Sequence, residues 1–183
     1  MYKLNVDPYI KQFIRIHINN QEYNNLKDFS VEIAKQKQEE HFTFDDDVIA
    51  KRFLTGLLGE RALEIFLNLK IIDYTIGIAK DYNLPDISEF NIGIKSCEWG
   101  KYPIIFKQNE YGQIINLVKG QEVFICGYAT VQMLQDFQND NYVINKKLQA
   151  RGTKTAYYNF MDLIPITLIK EAINEKLHRV SRF

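Results

Sequence analysis

The chain has 183 residues, with 23 basic and 23 acidic side chains, 46% hydrophobic residues and 13% aromatics. This is enough apolar material to bury the core of one domain, which excludes wholesale disorder. A formal net charge of zero argues against a generic polybasic nucleic-acid binder.

No apolar run approaches the ~18 residues that a membrane span needs. Met1 to Asn5 show no basic-then-apolar signal pattern. Cys97 and Cys126 are far apart, without CxxC spacing, and read as reduced core thiols of a cytoplasmic protein. Charge is unevenly placed. Asp140 to Phe183 hold eight basic and four acidic residues, a net of +4, whereas Asp45-Asp46-Asp47 is an acidic cluster. Such asymmetry permits a phosphate-facing surface on a neutral protein, and ordinary solvated surface explains it as well.

In chain order, Tyr9 to Ile18 reads as a short strand or a helix start. Asn19-Asn20 and Asn24-Asn25 punctuate a turn. Phe29 to Gln38 reads as a helix with Ser30 as its cap. Val48, Ile49, Phe53, Leu54, Leu57, Leu58, Ala62, Ile65 and Phe66 recur at helical spacing. The acidic triplet just before them suits the helix macrodipole, and we prefer that reading to a metal site. Ile71 to Ile78 reads as a strand. Asp86–Phe90 and Ile92–Ser96 are expected to pair as a tight hairpin. Pro103–Lys107 and Ile114–Val118 flank a turn at Asn109 to Gly112. Glu122–Tyr128 reads as a central strand. Thr130 caps a short helix to Phe137, Lys146–Tyr158 is basic and aromatic, and Thr167–His178 reads as a terminal helix.

The segment Leu84-Pro85-Asp86-Ile87-Ser88-Glu89-Phe90-Asn91-Ile92-Gly93-Ile94-Lys95-Ser96 carries the chemistry. Phosphodiester hydrolysis uses a hard divalent cation held by one or two carboxylates with water and phosphate. A nearby lysine steadies the attacking water or the charge that develops. Strand alternation places position 93 and Lys95 on one face and Ile94 in the core. Upstream, Gly56-Leu57-Leu58-Gly59-Glu60 lies in the long helix. Two helical glycines cost about 1 kcal/mol each against alanine, and close approach of helix to sheet supplies a reason for them.

Together these segments resemble the core of the PD-(D/E)xK nuclease superfamily, over roughly Gly56 to Tyr128. The resemblance implies an α/β domain of restriction-endonuclease-like architecture, with a central mixed sheet flanked by helices. Residues 1–45 would form an N-terminal helical extension, 46–130 the core, and 131–183 the C-terminal helices and basic region. It further implies that Asp86 and Glu60 bind Mg²⁺ or Mn²⁺, that the Ile94 carbonyl adds a ligand, and that Lys95 is the catalytic lysine. Gly93 departs from the pattern, because it stands where the family keeps its second acid.

Three explanations of Gly93 are open: another acid compensates (Glu60, ahead of Glu89 and Glu98), an inactivating substitution has been introduced, or the protein is a disarmed DNA binder. Pro-Asp is also a common turn former, and a lone strand lysine is often merely solvated.

Lys80, Lys101, Arg151 and Lys154 are candidate DNA contacts. The run Arg151-Gly152-Thr153-Lys154-Thr155-Ala156-Tyr157-Tyr158 mixes cations, hydroxyls and aromatics that suit phosphates and bases. Trp99 reads as core. His17, His41 and His178 are isolated, which argues against zinc.

The expected function is a metal-dependent DNA endonuclease or other phosphodiesterase, of restriction, repair or phage type. DNA is its expected partner, a homodimer is allowed, and no membrane is involved. The alternative is a catalytically inactive DNA-binding or protein-interaction module on the same fold. A structural phage protein of unrelated fold is a weaker third.

Overall fold

The computed structural model describes residues 2–40, 46–75 and 84–180. A short helix α1 (Tyr2–Val6) and a 3-10 turn (Asp7–Gln12) lead into strand β1 (Ile14–His17). Helix α2 (Asn20–Glu40) follows, and then helix α3 (Asp46–Leu67). Asn19 opens α2 as a cap. Its Oδ1 accepts the Glu22 N–H at 2.9 Å and its Nδ2 donates to the Glu22 carboxylate at 3.0 Å. The asparagines expected to mark a turn therefore start a helix. Ser30 lies inside that helix, where its hydroxyl donates to the Lys27 carbonyl rather than capping an end.

The remaining strands are β2 (Ile92–Glu98), β3 (Ile104–Phe106), β4 (Gly112–Lys119), β5 (Glu122–Ala129), β6 (Gln138–Asn139) and β7 (Lys154–Tyr157). Helices α4 (Val131–Asp136), α5 (Lys146–Arg151) and α6 (Ile166–Val180) complete the order. Thr130 caps α4 as expected, accepting the Met133 N–H.

The main sheet runs β1-β5-β4-β2 and a smaller one runs β3-β7-β6. β5 pairs antiparallel with both β1 and β4, whereas β2 pairs parallel with β4. The architecture is α/β, with a mixed sheet flanked by helices. β1 comes from the N-terminal stretch, so that stretch is part of the sheet and not only a helical extension.

Two apolar clusters lie on the two faces of the main sheet. One gathers Leu57, Leu58, Ala62 and Leu63 of α3 with Ile92, Ile114, Val123 and Ile125. The other gathers Ile115, Leu117, Cys126 and Ala129 with Leu134, Tyr157 and Phe160. β-strand alternation accounts for the split, since neighbours in sequence point to opposite faces. Trp99 packs with Phe124 on the second face, as core. Cys97 and Cys126 are free thiols, and burial pushes Cys97 up to about 12.

Gly59 is where α3 meets the sheet most closely. A Cβ built on it would lie 1.8 Å from Ser96 Oγ and 3.0 Å from Asn116 Nδ2. Gly56 has nothing within 4 Å, so close approach explains only one of the two glycines.

Two expectations fail in the segment before β2. The hairpin reduces to a single antiparallel bridge, Ile87 to Ile92. Ser88–Phe90 coil into a 3-10 turn closed by Asn91, whose φ of 56° is left-handed. This leaves no length for a second strand. β2 instead finds β4, and residues 99–111 provide the long crossover that a parallel pair requires. Ile71 to Thr75 do not form a strand either. The Ile71 and Ile72 N–H groups donate to Glu64 Oε1 at 2.8 and 2.9 Å, which satisfies backbone that a strand partner would otherwise take. Residues 76–78 of that expected strand lie outside the described residues. Among the described residues, no helix is long and apolar enough to cross a membrane.

Candidate active site

Among the described residues, β2 is an edge strand, with β4 on one side only. Asp86 occupies the other side, where its Oδ2 accepts the Ile94 N–H at 2.5 Å. The N–H and C=O of one strand residue point the same way, so the Ile94 carbonyl also faces this free edge. The expected hairpin contact is thus replaced by a carboxylate that caps the bare backbone of β2.

Glu60 approaches from α3, on the Ile92 and Ile94 face of the sheet. Burial pushes its carboxyl up to about 7, and the Asp86 and Glu64 carboxylates push the same way. Asp86 is exposed as a residue, yet lost hydration raises its carboxyl above the ordinary value. The N–H groups of Ile94 and of Asp86 itself, and then Lys95, hold that rise back. Lys95 sits on the opposite face of β2 and is half-buried. Burial brings its ammonium down to about 8, Lys154 and Arg52 add repulsion, and Cys97 and Asp86 oppose them. Asp86 is therefore the shared neighbour: it raises Glu60 and supports the charge on Lys95. Glu60 and Lys95 thus lie on opposite faces of β2, each within electrostatic reach of Asp86 at its edge.

The oxygens there suit a hard cation. Two carboxylates and a carbonyl are the donor set that Mg²⁺ or Mn²⁺ accepts, and a cation would offset the lost hydration that raises both carboxyls. Among the described residues, no three His, Cys, Asp or Glu side chains are grouped as a ready metal cage. Asp86, Glu60 and the Ile94 carbonyl would hold the ion, with water and substrate phosphate completing its shell.

Of the three acids considered as replacements at position 93, Glu60 stands near Asp86, Glu98 is engaged elsewhere and Glu89 is exposed. Glu98 pairs with Lys51 at 2.7 Å and with Lys101 at 2.6 Å. Glu89 is an exposed residue of the 3-10 turn, and its carbonyl accepts from Lys176. Lys101 is thus paired with Glu98, and it is not among the charges acting on Lys95. Lys80 lies outside the described residues.

Lys154, on β7, does reach the site. Burial lowers its ammonium, with repulsion from Arg52 and Arg151 behind that. Its Nζ lies 4.7 Å from the centre of the half-exposed Phe106 ring. Lys154 and Arg52 thus repel Lys95, and Arg52 and Arg151 repel Lys154, a repulsion that an anion would relieve.

Arg52 was not legible as a site residue, although Lys51-Arg52 stand two turns before Glu60 on the same helix. Tyr111 is the other residue the sequence reading missed. Its ring carbon Cε2 lies 2.5 Å from where a Cβ on Gly93 would be. Burial and the Asp86 charge raise its phenol. Sequence marked it only as part of a turn.

Comparison with family models, with curated proteins and with solved structures finds no match to the chain.

Proposed function

We propose that this protein is a metal-dependent phosphodiesterase acting on DNA, an endonuclease of the PD-(D/E)xK kind with a restriction-endonuclease-like core. The observation that carries the reading is the Asp86 carboxylate bonded to the Ile94 N–H at the edge of β2, close enough to raise Glu60 and to support the charge on Lys95, with further cations acting on Lys95. Bound Mg²⁺ or Mn²⁺ would supply Lewis-acid activation of water and neutralise charge on the phosphate.

The chain's own groups do the rest. Asp86 and Glu60 fix the oxygen donors. Lys95, poised near neutrality, orients the attacking water or stabilises the developing charge. Arg52, Lys154 and Arg151 hold backbone phosphates so that one lies in line for displacement. The same chemistry and the two free thiols fit a cytoplasmic DNA-processing role of restriction, repair or phage type, and two copies would serve the two strands of a duplex.

The test uses supercoiled plasmid and single-stranded DNA, with Mg²⁺ or Mn²⁺, beside Lys95→Ala and Asp86→Asn. Nicking should fall by about 10²-fold or more in each variant, the scale of losing a group that stabilises transition-state charge. Equal nicking by wild type and both variants would end the proposal.

A second reading, a disarmed DNA-binding module, draws on one observation: the place of the second acid is closed by the Tyr111 ring. DNA binding without nicking in either metal would favour it.

A further inference from the structure

β3 and β7 pair antiparallel, with Ile105 opposite Thr155 and Phe106 opposite Lys154. Ile105 and Thr155 are buried, and Ile105 joins the second apolar cluster. Strand alternation then turns Phe106 and Lys154 to the other side of the small sheet. Phe106 is 51% exposed and packs into neither apolar cluster. A ring left half in water forgoes much of the free energy that burial would give it. Scattered exposed apolar residues are ordinary, so exposure alone gives this ring no role.

Its surroundings do. The Lys154 ammonium stands over the ring, 4.7 Å from its centre. The backbone beneath is held on both sides. The Lys107 N–H donates to the Thr153 carbonyl at 3.1 Å, and Asn109 Nδ2 donates to the Phe106 carbonyl at 2.6 Å. Short contacts then run on to β2. Asn109 Oδ1 accepts from Gln113 Nε2 at 3.1 Å, and Gln113 Cγ lies 3.3 Å from where a Cβ on Gly93 would stand. Gly93 is two residues before Lys95 and shares its face of β2. The ring is thus fixed in place, half open, and tied to the strand that carries Lys95.

Charge links the same parts. Lys154 repels Lys95, and Arg151 and Arg52 repel Lys154, so the open ring borders a surface that favours an anion. Lys107, the residue after the ring, is instead paired with Asp140 at 2.6 Å. An open aromatic face beside such cations suits a nucleic-acid strand whose bases are exposed, because bases stack on the ring while phosphates meet the cations. In a duplex the base faces are covered by their neighbours, which leaves only groove edges and backbone within reach.

We propose that Phe106 is a stacking platform for an unpaired base of single-stranded DNA, with Lys154 holding the phosphate beside that base. The proposal deepens the DNA reading above and rests on it for the kind of polymer, but it requires neither a metal nor cleavage. It names the substrate as a strand with exposed bases, laid from the small sheet toward Lys95.

Fluorescence anisotropy in EDTA reads this directly, with a labelled DNA single strand, its duplex, and an RNA strand of the same sequence. Wild type is compared with Phe106→Leu, which keeps apolar bulk without a ring, and with Phe106→Trp, which enlarges the ring. Phe106→Leu should bind the DNA single strand about tenfold more weakly, the scale of losing one base–aromatic stack, and should bind the duplex within twofold of wild type. Phe106→Trp should bind the single strand at least as tightly as wild type. Thermal melts report folding.

If Phe106→Leu binds the single strand within twofold of wild type, or weakens single strand and duplex alike, the platform falls. If wild type binds the RNA strand more tightly than the DNA strand, the assignment to DNA is overturned. In each of these cases plasmid nicking that depends on Lys95 and Asp86 still supports the site reading. Wild type that binds neither single strand nor duplex ends both. Should Phe106→Leu not fold, Phe106→Trp decides: equal or tighter single-strand binding supports the platform, and weaker binding overturns it.

Discussion

Glu60 shows what the site costs the fold. In the folded protein its carboxyl titrates near 7, against an ordinary value of 4.5. Between those two values the native state holds a proton that the unfolded chain releases. Stability therefore declines as pH rises through that window and is relieved as pH falls. In EDTA, Glu60→Gln should melt higher than wild type at pH 8, and the gap should close by pH 4.5. Equal melting temperatures at pH 8 would mean that burial, with Asp86 and Glu64 beside it, does not raise the Glu60 carboxyl. Functional sites commonly hold such buried, like-charged groups at the expense of stability.

Gly93 makes a second prediction at the same scale. Gly93→Asp places its Cβ against the Tyr111 ring, so the single substitution should destabilise by about 1–3 kcal/mol, as overpacking does. Gly93→Asp with Tyr111→Ala should recover most of that loss in a denaturant titration. Restoring the family acid alone is thus a poor test of function, because the neighbouring ring has taken its place.

At the scale of elements, α3 positions the site by lying close to the sheet at one point. Gly59 and Gly56 look alike in sequence and differ in structure. Gly59→Ala drives a methyl into Ser96 and Asn116 and should cost about 1–3 kcal/mol. Gly56→Ala meets open space inside a helix and should stabilise by about 1 kcal/mol. Urea denaturation of the two variants gives shifts of opposite sign if the helix sits as described.

The C-terminal half of α3 is tied down by Glu64, which is 8% exposed. Burial raises its carboxyl, but the Ile71 and Ile72 N–H groups and Arg61 outweigh that and lower it overall. Arg61 also reaches Glu22 of α2 at 2.5 Å, so one network joins both long helices to the chain that leaves α3. The expected strand at Ile71 is absent for this reason: a side chain already satisfies its backbone.

For the whole molecule, a neutral chain can still present a cationic face. Arg52 comes from α3, Lys95 from β2 of the main sheet, Lys154 from β7 of the smaller sheet, and Arg151 from α5. Each phosphate contact releases condensed counterions, so binding falls steeply with salt. Arg52→Ala, Arg151→Ala and Lys154→Ala should each weaken binding to duplex DNA similarly across sequences. Each should also reduce the salt slope by about one, measured by fluorescence anisotropy between low and physiological salt. Lys101→Ala, whose cation is paired with Glu98, should leave the slope unchanged.

Periodicity alone gave α3, α4, α6 and the apolar strands β4 and β5, because repeating burial on one face is written locally in the order of residues. Glu60, Asp86 and Lys95 could be named as candidates because their segments resemble a family pattern, and their roles remain part of the proposal. Tertiary structure alone decided that β2 pairs in parallel with β4, and that Asp86 caps a strand edge instead of crossing a hairpin. It also decided that Tyr111 and Gln113 fill the space above Gly93, and that Arg52 joins Lys95. These are contacts between segments far apart in the chain. Which ones form depends on how whole faces pack and on which backbone groups still need a partner, and no window of sequence contains both sides of that choice.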